Sequence, residues 1–483
     1  VTGFKVREGA IETPDANTVI FRLEQPSAPF FYFVGVTPIL AKHVLEGQNL
    51  AFSDDYINQH VVGSGPFKYF EFVRGSYITL VANENYFLGR PYLDRVTFRV
   101  FKSSAAGEIA LKARDIDYFA LVQPWDVESL KTAGLNVQGQ SVANVWYMTF
   151  NLDKRLSDGS YNPFSDIRVR RAVAHALNLT DMVQSTYLGY GRVGSQPVPP
   201  EIKYFGKSYY NETMPNPYYR YDLELANRLL NESGYLWNPV TGNASNGAKY
   251  RFETKLHLWT GYDDIVKNAQ WIQAQLQNVG INLVLDVREW IAFLDLMFSS
   301  PRPRVWAVHM LGWTQNLDAD GIWSAKYYWS EVNAGAWGMN ASNYTNTELN
   351  RLIEQGRVTV DADERTRIYK RCAYLLAEDL PELIYGYPDR IVSWNPDFKG
   401  FVFGMTGAMS VIAGAISPYS LRQVYYQPTV PTTTPPTTTP PTTTPPTTTP
   451  AAGLGLTEVA TAVLATAIVA VAVTALVLRR RKS

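Results

Sequence analysis

The chain has 483 residues, 46% of them hydrophobic and 18% charged, which is an ordinary globular composition. Lys plus Arg and Asp plus Glu are equal at 44 each, so no global field draws nucleic acid or an acidic polymer. A single cysteine, Cys372, excludes an internal disulfide framework and a cysteine-based zinc cluster.

Residues 17–23 alternate in the period of a half-buried strand, and Pro26 and Pro29 end it. Residues 77–81 and 95–101 alternate again, separated by a turn-like stretch at 83–91, and read as strands of one mixed sheet. Asp166 is placed to cap a helix through Leu177, with Val169, Val173, Ala176 and Leu177 on one side. Asp222 is placed to cap another through Glu232, stopped by Gly234. From Asp263 onward, Ile265, Ala269, Ile272, Leu276 and Val279 form one apolar stripe that Gly280 closes. Ile281, Leu283, Leu285 and Val287 then alternate as a strand. A helix feeding a strand through one glycine is an α/β building block. A further helix over 363–379 carries Cys372 on its apolar stripe, which makes that thiol a packing group. Pro381 and a strand-like 383–387 follow. The body reads as α/β with more than one lobe.

Residues 428–450 are Pro and Thr with one Val, which cannot bury a core and adopt a hydrated, extended state. At about 3.1 Å per residue this stalk reaches roughly 70 Å. Residues 459–478 are an apolar run of about one bilayer core in length if helical, roughly 30 Å. Arg479, Arg480, Arg481 and Lys482 follow. The expectation is a stalk over 426–458, a single transmembrane helix over 459–478 and a cytoplasmic tail over 479–483, with the first 427 residues outside the cell. A buried core helix is the alternative for the apolar run. The start at Val1 carries neither Met nor an export signal, so such a signal is expected to precede it. Asn178, Asn211, Asn231, Asn243, Asn340 and Asn343 head sequons and are glycosylation candidates for an external body.

The search for catalysis is negative. His43, His60, His175, His257 and His309 form no metal-ligand spacing, and no G-x-S-x-G elbow occurs. Gly63-Ser64-Gly65-Pro66-Phe67-Lys68 lacks the G-K-[S/T] ending of a phosphate loop and reads as a turn. No metal, no cofactor and no enzymatic activity are expected. The distinctive stretch is 311–323, which joins Trp313 and Trp323 to Asn316, Asp318 and Asp320. It either stacks on a ligand and hydrogen-bonds its edge, or forms a surface loop with its Trp rings in the core. Trp125, after Gln123-Pro124, is a further cleft candidate, with a plain loop as the alternative.

Several segments resemble one family, the extracellular solute-binding proteins of peptide-type ABC transporters. They are Val62-Gly63-Ser64-Gly65-Pro66-Phe67-Lys68, residues 83–94 (NENYFLGRPYLD), Asp115-Ile116-Asp117-Tyr118, and residues 162–172 (NPFSDIRVRRA). Residues 222–235 (DLELANRLLNESGY), Gly312-Trp313 and residues 363–381 follow in the expected order, so the resemblance runs from about 15 to 405. It implies a type II periplasmic-binding-protein-like fold, bilobal, with an extra lobe. By that analogy residues 1–60 finish the extra lobe, 61–142 form the first main lobe, 143–395 the second, and 396–425 return to the first. It also implies a monomeric receptor that closes on a solute and delivers it to ABC permease subunits, without chemistry. The stalk and anchor resemble archaeal surface anchoring in composition.

Two departures bear on the ligand. Binders of the family often carry an acid three positions after the residue matching Trp313, and here that position is Asn316. A neutral amide keeps oligosaccharide beside peptide as a ligand class, and Asp318 is the acid that a two-residue shift would bring in. Arg114 stands where the family usually has Gly. The ligand-binding candidates are thus Trp313, Asn316, Asp318, Asp320 and Trp125. The readings from other classes are a surface structural or adhesion protein and a surface hydrolase.

Overall fold

The computed structural model describes residues 9–35, 39, 41–47, 61–238, 240–241, 243–244, 246–299, 302–314, 318–330, 338–401, 421–428 and 473–479. A hairpin, Ile11–Asp15 with Thr18–Phe21, opens the chain. Strands β1 (Phe67–Val73), β2 (Tyr77–Ala82) and β3 (Arg95–Phe101) then form an antiparallel meander. Helix α1 (Ser104–Lys112), β4 (Tyr118–Phe119) and β5 (Asn136–Gln140) complete the first pass.

The second body starts with β6 (Asn144–Phe150), followed by α2 (Ile167–Ala176), β7 (Gly191–Val193) and α3 (Leu223–Glu232). It continues through β8 (Phe252–Trp259), α4 (Asp263–Gln277), β9 (Ile281–Arg288) and β10 (Val308–Thr314). Helices α5 (Thr347–Val358) and α6 (Ala362–Asp379) precede β11 (Glu382–Pro388). The chain then returns to the first sheet as β12 (Arg390–Trp394). The return thus begins six residues before 396, because Arg390 through Trp394 pair with β5.

The first sheet has the order β1-β2-β3-β13-β4-β12-β5, where β13 is Val473–Arg479. The second has the order β9-β8-β10-β6-β11-β7. The helix-glycine-strand unit takes its expected form. α4 buries Ile265, Ala269, Ile272 and Leu276, and Gly280 takes φ +76°. β9 then lies parallel to β8. Central strands β6 and β11 are buried almost throughout, so they lack polar alternation.

The polar residues of the segments that carry the family resemblance are structural. Asp166 caps α2, accepting from the Arg168 N–H at 2.8 Å, and Asp222 caps α3 through the Leu225 N–H at 2.8 Å. Buried Arg170 donates to the carbonyls of Phe164, Asp379 and Leu380 at 2.7, 2.9 and 2.9 Å, which ties the end of α6 to α2. Asn162 donates to the carbonyls of Asn151 and Asp153 at 2.7 and 2.9 Å. Arg114, in the turn after α1, holds φ +63°, the left-handed region that a glycine occupies without strain.

Three further placements matter. The described N-terminal residues dock on the second body, where Ala28 joins a core cluster with Tyr209, Trp323 and Tyr369. Residues 398, 421 and 424 pack with Leu93, Val96 and Tyr118 in the first body. Asn340 is fully buried and both donates to the Tyr344 carbonyl and accepts from its N–H, so it is removed from the glycosylation candidates. Asn231 and Asn243 are exposed, and Asn178, Asn211 and Asn343 are half-buried.

The expected transmembrane helix overlaps a described strand over its last six residues. Residues 473–478 belong to β13, antiparallel to β3 and β4. An apolar Val, Thr, Ala and Leu run satisfies a central strand as readily as a helix, and only its surroundings decide between them. Residues 429–472 and 480–483 lie outside the described residues. Among the described residues no helix is long and apolar enough to cross a membrane.

Candidate ligand cleft

Two crossings join the two sheets. β5 ends at Gln140 and β6 begins at Asn144, while β11 ends at Pro388 and β12 begins at Arg390. The crossings are tied together, since Ser141 Oγ donates to Asp389 Oδ1 at 2.9 Å. A few residues at element ends linking two packed bodies are what a hinge requires.

A cavity of about 50 Å³ sits at this junction. The first body contributes Gln123, Pro124 and Arg390 to its wall. The second contributes Asn144, Trp146, Tyr187, Tyr190, Tyr262 and Asp264. Trp146 is placed by Gly312. The two residues pair across β6 and β10, and a Cβ on Gly312 would lie 1.6 Å from Trp146 Cζ3. The ring then packs against Trp259 and Tyr262, with centroids 5.9 and 5.7 Å away. Its indole N–H is buried without a hydrogen-bond partner.

Asp264 lies in the first turn of α4, where the helix dipole favours an anion. Burial pushes its carboxyl up to about 6, against the Ile265 N–H and the Arg390 charge. Its Oδ1 is buried and has no hydrogen-bond partner.

Trp313 lies next to Gly312 on β10, so its side chain points to the opposite face of the strand. It is half-buried, between the main core of the second body and the cluster around Trp323. The Lys326 ammonium stands 6.0 Å from its ring centroid. That ammonium is itself buried, paired to Glu382 at 2.8 Å, and burial lowers its pKa to about 8. Tyr327 and Thr149 donate to the same carboxylate at 2.6 and 2.9 Å. Trp125 is half-buried in a short turn of first-body helix, and Lys267 of α4 stands 3.5 Å above its ring. Trp125 therefore spans the two bodies.

Asp318 and Asp320 do not behave as cleft acids. Asp318 is buried and receives Arg365 Nη2 at 2.8 Å, and the Arg365 side chain is itself fully buried. Arg365 also donates to Tyr209 and packs over the rings of Tyr204 and Tyr369. Asp320 accepts from Tyr369 OH at 3.0 Å, and burial raises its pKa. A ligand would have to break these pairs to use either carboxylate. Asn316 lies outside the described residues. Sequence reasoning missed Trp146, Tyr262, Asp264 and Arg390. Trp146 and Arg390 stand at strand ends beside the crossings, whereas Tyr262 and Asp264 stand at the start of α4, so no shared local signal marks them. Among the described residues no group of three or more His, Cys, Asp or Glu side chains could hold a metal ion.

Comparison with known proteins decides the family. The sequence profile of the bacterial extracellular solute-binding proteins, family 5, matches residues 5–336. The chain belongs to this family. A family-5 relative, the oligopeptide-binding protein AppA of Bacillus subtilis, is 26% identical over 400 residues, covering 82% of this chain and 69% of AppA. The dipeptide-binding protein of Escherichia coli is 24% identical over 409 residues, covering 82% of this chain and 69% of that protein. The structure of B. subtilis AppA in complex with a nonapeptide superposes with a TM-score of 0.70 at 25% identity, covering 86% of this chain and 78% of AppA. Family-5 proteins of this kind are substrate-binding proteins of ABC transporters, not enzymes.

Proposed function

We propose that the protein captures oligopeptides between its two bodies and hands them to the permease subunits of an ABC importer. The observation that carries this reading is the junction cavity. It lies between two bodies joined by paired crossings, with a guanidinium from one body and a carboxylate from the other on its wall. A zwitterionic ligand matches that charge pattern at both of its ends, which a neutral oligosaccharide does not. Contacts made to both bodies at once exist only when they are close together, so binding shifts the hinge equilibrium toward closure. Titration of tryptophan fluorescence with peptides and with oligosaccharides tests this. A saturable change for peptides alone is expected, and a saturable change for oligosaccharides alone overturns it.

The same proposal places the body outside the cell, tethered by residues 426–458 and anchored by 459–478. Its support is the sequence: a Thr/Pro stalk, then an apolar run of about one bilayer core, roughly 30 Å, then four basic residues. A run seated as β13 in the first sheet is incompatible with a run seated in a bilayer. Alkaline carbonate washing of membranes separates the two: the anchored protein stays with the pellet, and release into the supernatant rejects the anchor.

A further inference from the structure

Trp125 is a point where the first body reaches the second, and its turn, Pro124–Asp126, is pinned from behind by α1. The Gln123 N–H donates to Glu108 Oε1 at 3.1 Å, and Gln123 Nε2 donates to Ser104 Oγ at 3.2 Å. On the far side of the turn, Ser129 Oγ donates to the Asp126 carbonyl at 2.9 Å. Gln123, Glu108 and Ser104 are buried, so the turn moves with the first body. Lys267 is fixed in the same way to the second body. It is exposed on α4, on the face opposite buried Ile265, Ala269, Ile272 and Leu276. Its ammonium stands 3.5 Å from the centroid of the Trp125 ring, contact distance for a cation on a π face. Among the described residues no carboxylate pairs with this ammonium. Neighbouring Gln123 and Pro124 line the junction cavity, which puts the contact at the edge of the cleft.

We propose that Trp125 and Lys267 form a latch across the cleft, which favours the closed arrangement of the two bodies before a ligand adds contacts of its own. A contact between two bodies that each move as a unit exists only while they are close, and it is lost as the hinge opens. An indole is the strongest aromatic partner for a cation, and such contacts shift a two-state ratio by roughly twofold to thirtyfold. That is enough to bias the hinge and too little to lock it. The inference takes from the peptide reading only the hinge, and assigns Trp125 to the hinge equilibrium instead of to the ligand.

The test is the distance between spin labels on the two bodies of the full chain, measured by double electron–electron resonance without peptide. The labels go on Thr132→Cys and Asn278→Cys, both exposed positions, while buried Cys372 stays unlabelled. The labelled parent is expected to show a short-distance and a long-distance population. Lys267→Met keeps the apolar stem and removes the charge, and should lower the short-to-long ratio at least threefold. Lys267→Arg keeps the charge and should hold the ratio within about twofold of the parent. Trp125→Leu should lower the ratio as Lys267→Met does, and the double variant should fall no further than either single one. An unchanged ratio in Lys267→Met overturns the inference, as does a parent with no short-distance population. A double variant that falls by the product of the two single losses also overturns it, because the two side chains then do not act on each other. Lys267 is exposed, so its two variants decide the matter even where Trp125→Leu folds poorly. A saturating peptide mixture, added last, tests the underlying reading separately. A ratio that responds to the Lys267 variants and not to peptide leaves the latch standing and rejects closure on peptide.

Discussion

Replacing Asp318 separates the two roles that its position permits. Its carboxylate faces a fully buried Arg365 side chain, with Arg365 Nη2 at 2.8 Å and Tyr209 sharing the same guanidinium. Burial works against the Arg365 charge, but the hydrogen bonds that Arg365 donates to Asp318, together with the charges of Asp318, Tyr369 and Tyr209, raise its pKa above the ordinary value. Asp318→Asn keeps the shape and removes the countercharge. Leaving one partner of a buried pair uncompensated costs about 3–5 kcal/mol. In a body of this size each kcal/mol lowers the melting temperature by about 2–4 °C, so a drop of roughly 6–20 °C is expected. Scanning calorimetry measures it, and peptide titration of the fraction that remains folded should give an affinity within about twofold of wild type. A second variant, Asp318→Leu with Arg365→Met, should recover much of the loss, because removing both charges spares the desolvation. An unchanged melting temperature with collapsed affinity would refute the reasoning and return Asp318 to the cleft.

Further outcomes follow from other sites. Gly312→Ala should displace the Trp146 ring, which leaves 1.6 Å for a Cβ, so peptide affinity falls at least tenfold while the fold survives at a cost of about 1–3 kcal/mol; titration and thermal melting measure both. Trp313→Ala, at a half-buried seam, should cost less than the roughly 3–5 kcal/mol of a core Trp, and unchanged affinity in the folded variant removes Trp313 from the ligand path. Arg114→Gly should stabilise by up to about 1 kcal/mol by relieving a φ of +63°, read as a rise in melting temperature. His309 is buried beside Trp306, and burial together with Lys326, His257 and Arg304 holds its pKa well below the ordinary value. The unfolded chain binds a proton below about pH 6.5 and the folded chain does not, so stability falls as pH drops below that, by up to about 1.4 kcal/mol per unit. His309→Gln should flatten this acid limb in denaturant titrations at pH 4.5–7.

Local chemistry made much of the fold legible. The Asp166 and Asp222 caps, the α4 stripe with Gly280, and the alternation in β2, β3 and β9 follow from neighbours within one or two turns. The site was less legible because its parts come from far along the chain. Asp264 and Arg390 share a wall only through the crossings at 140–144 and 388–390, and no local period marks that. Asp318 looked like a cleft acid because its partner, Arg365, lies 47 residues away on a helix whose stripe reads as apolar. The apolar tail shows the limit from the other side. Length and composition fit a bilayer, while Val473–Arg479 has the β-branched content that a sheet accepts.

The central claim is that two bodies close on a peptide about the paired crossings. Small-angle scattering of the purified protein, with and without a saturating peptide mixture, tests it most directly. The account predicts a smaller radius of gyration with peptide, reversed by its removal. A radius unchanged by peptides that demonstrably bind would contradict it.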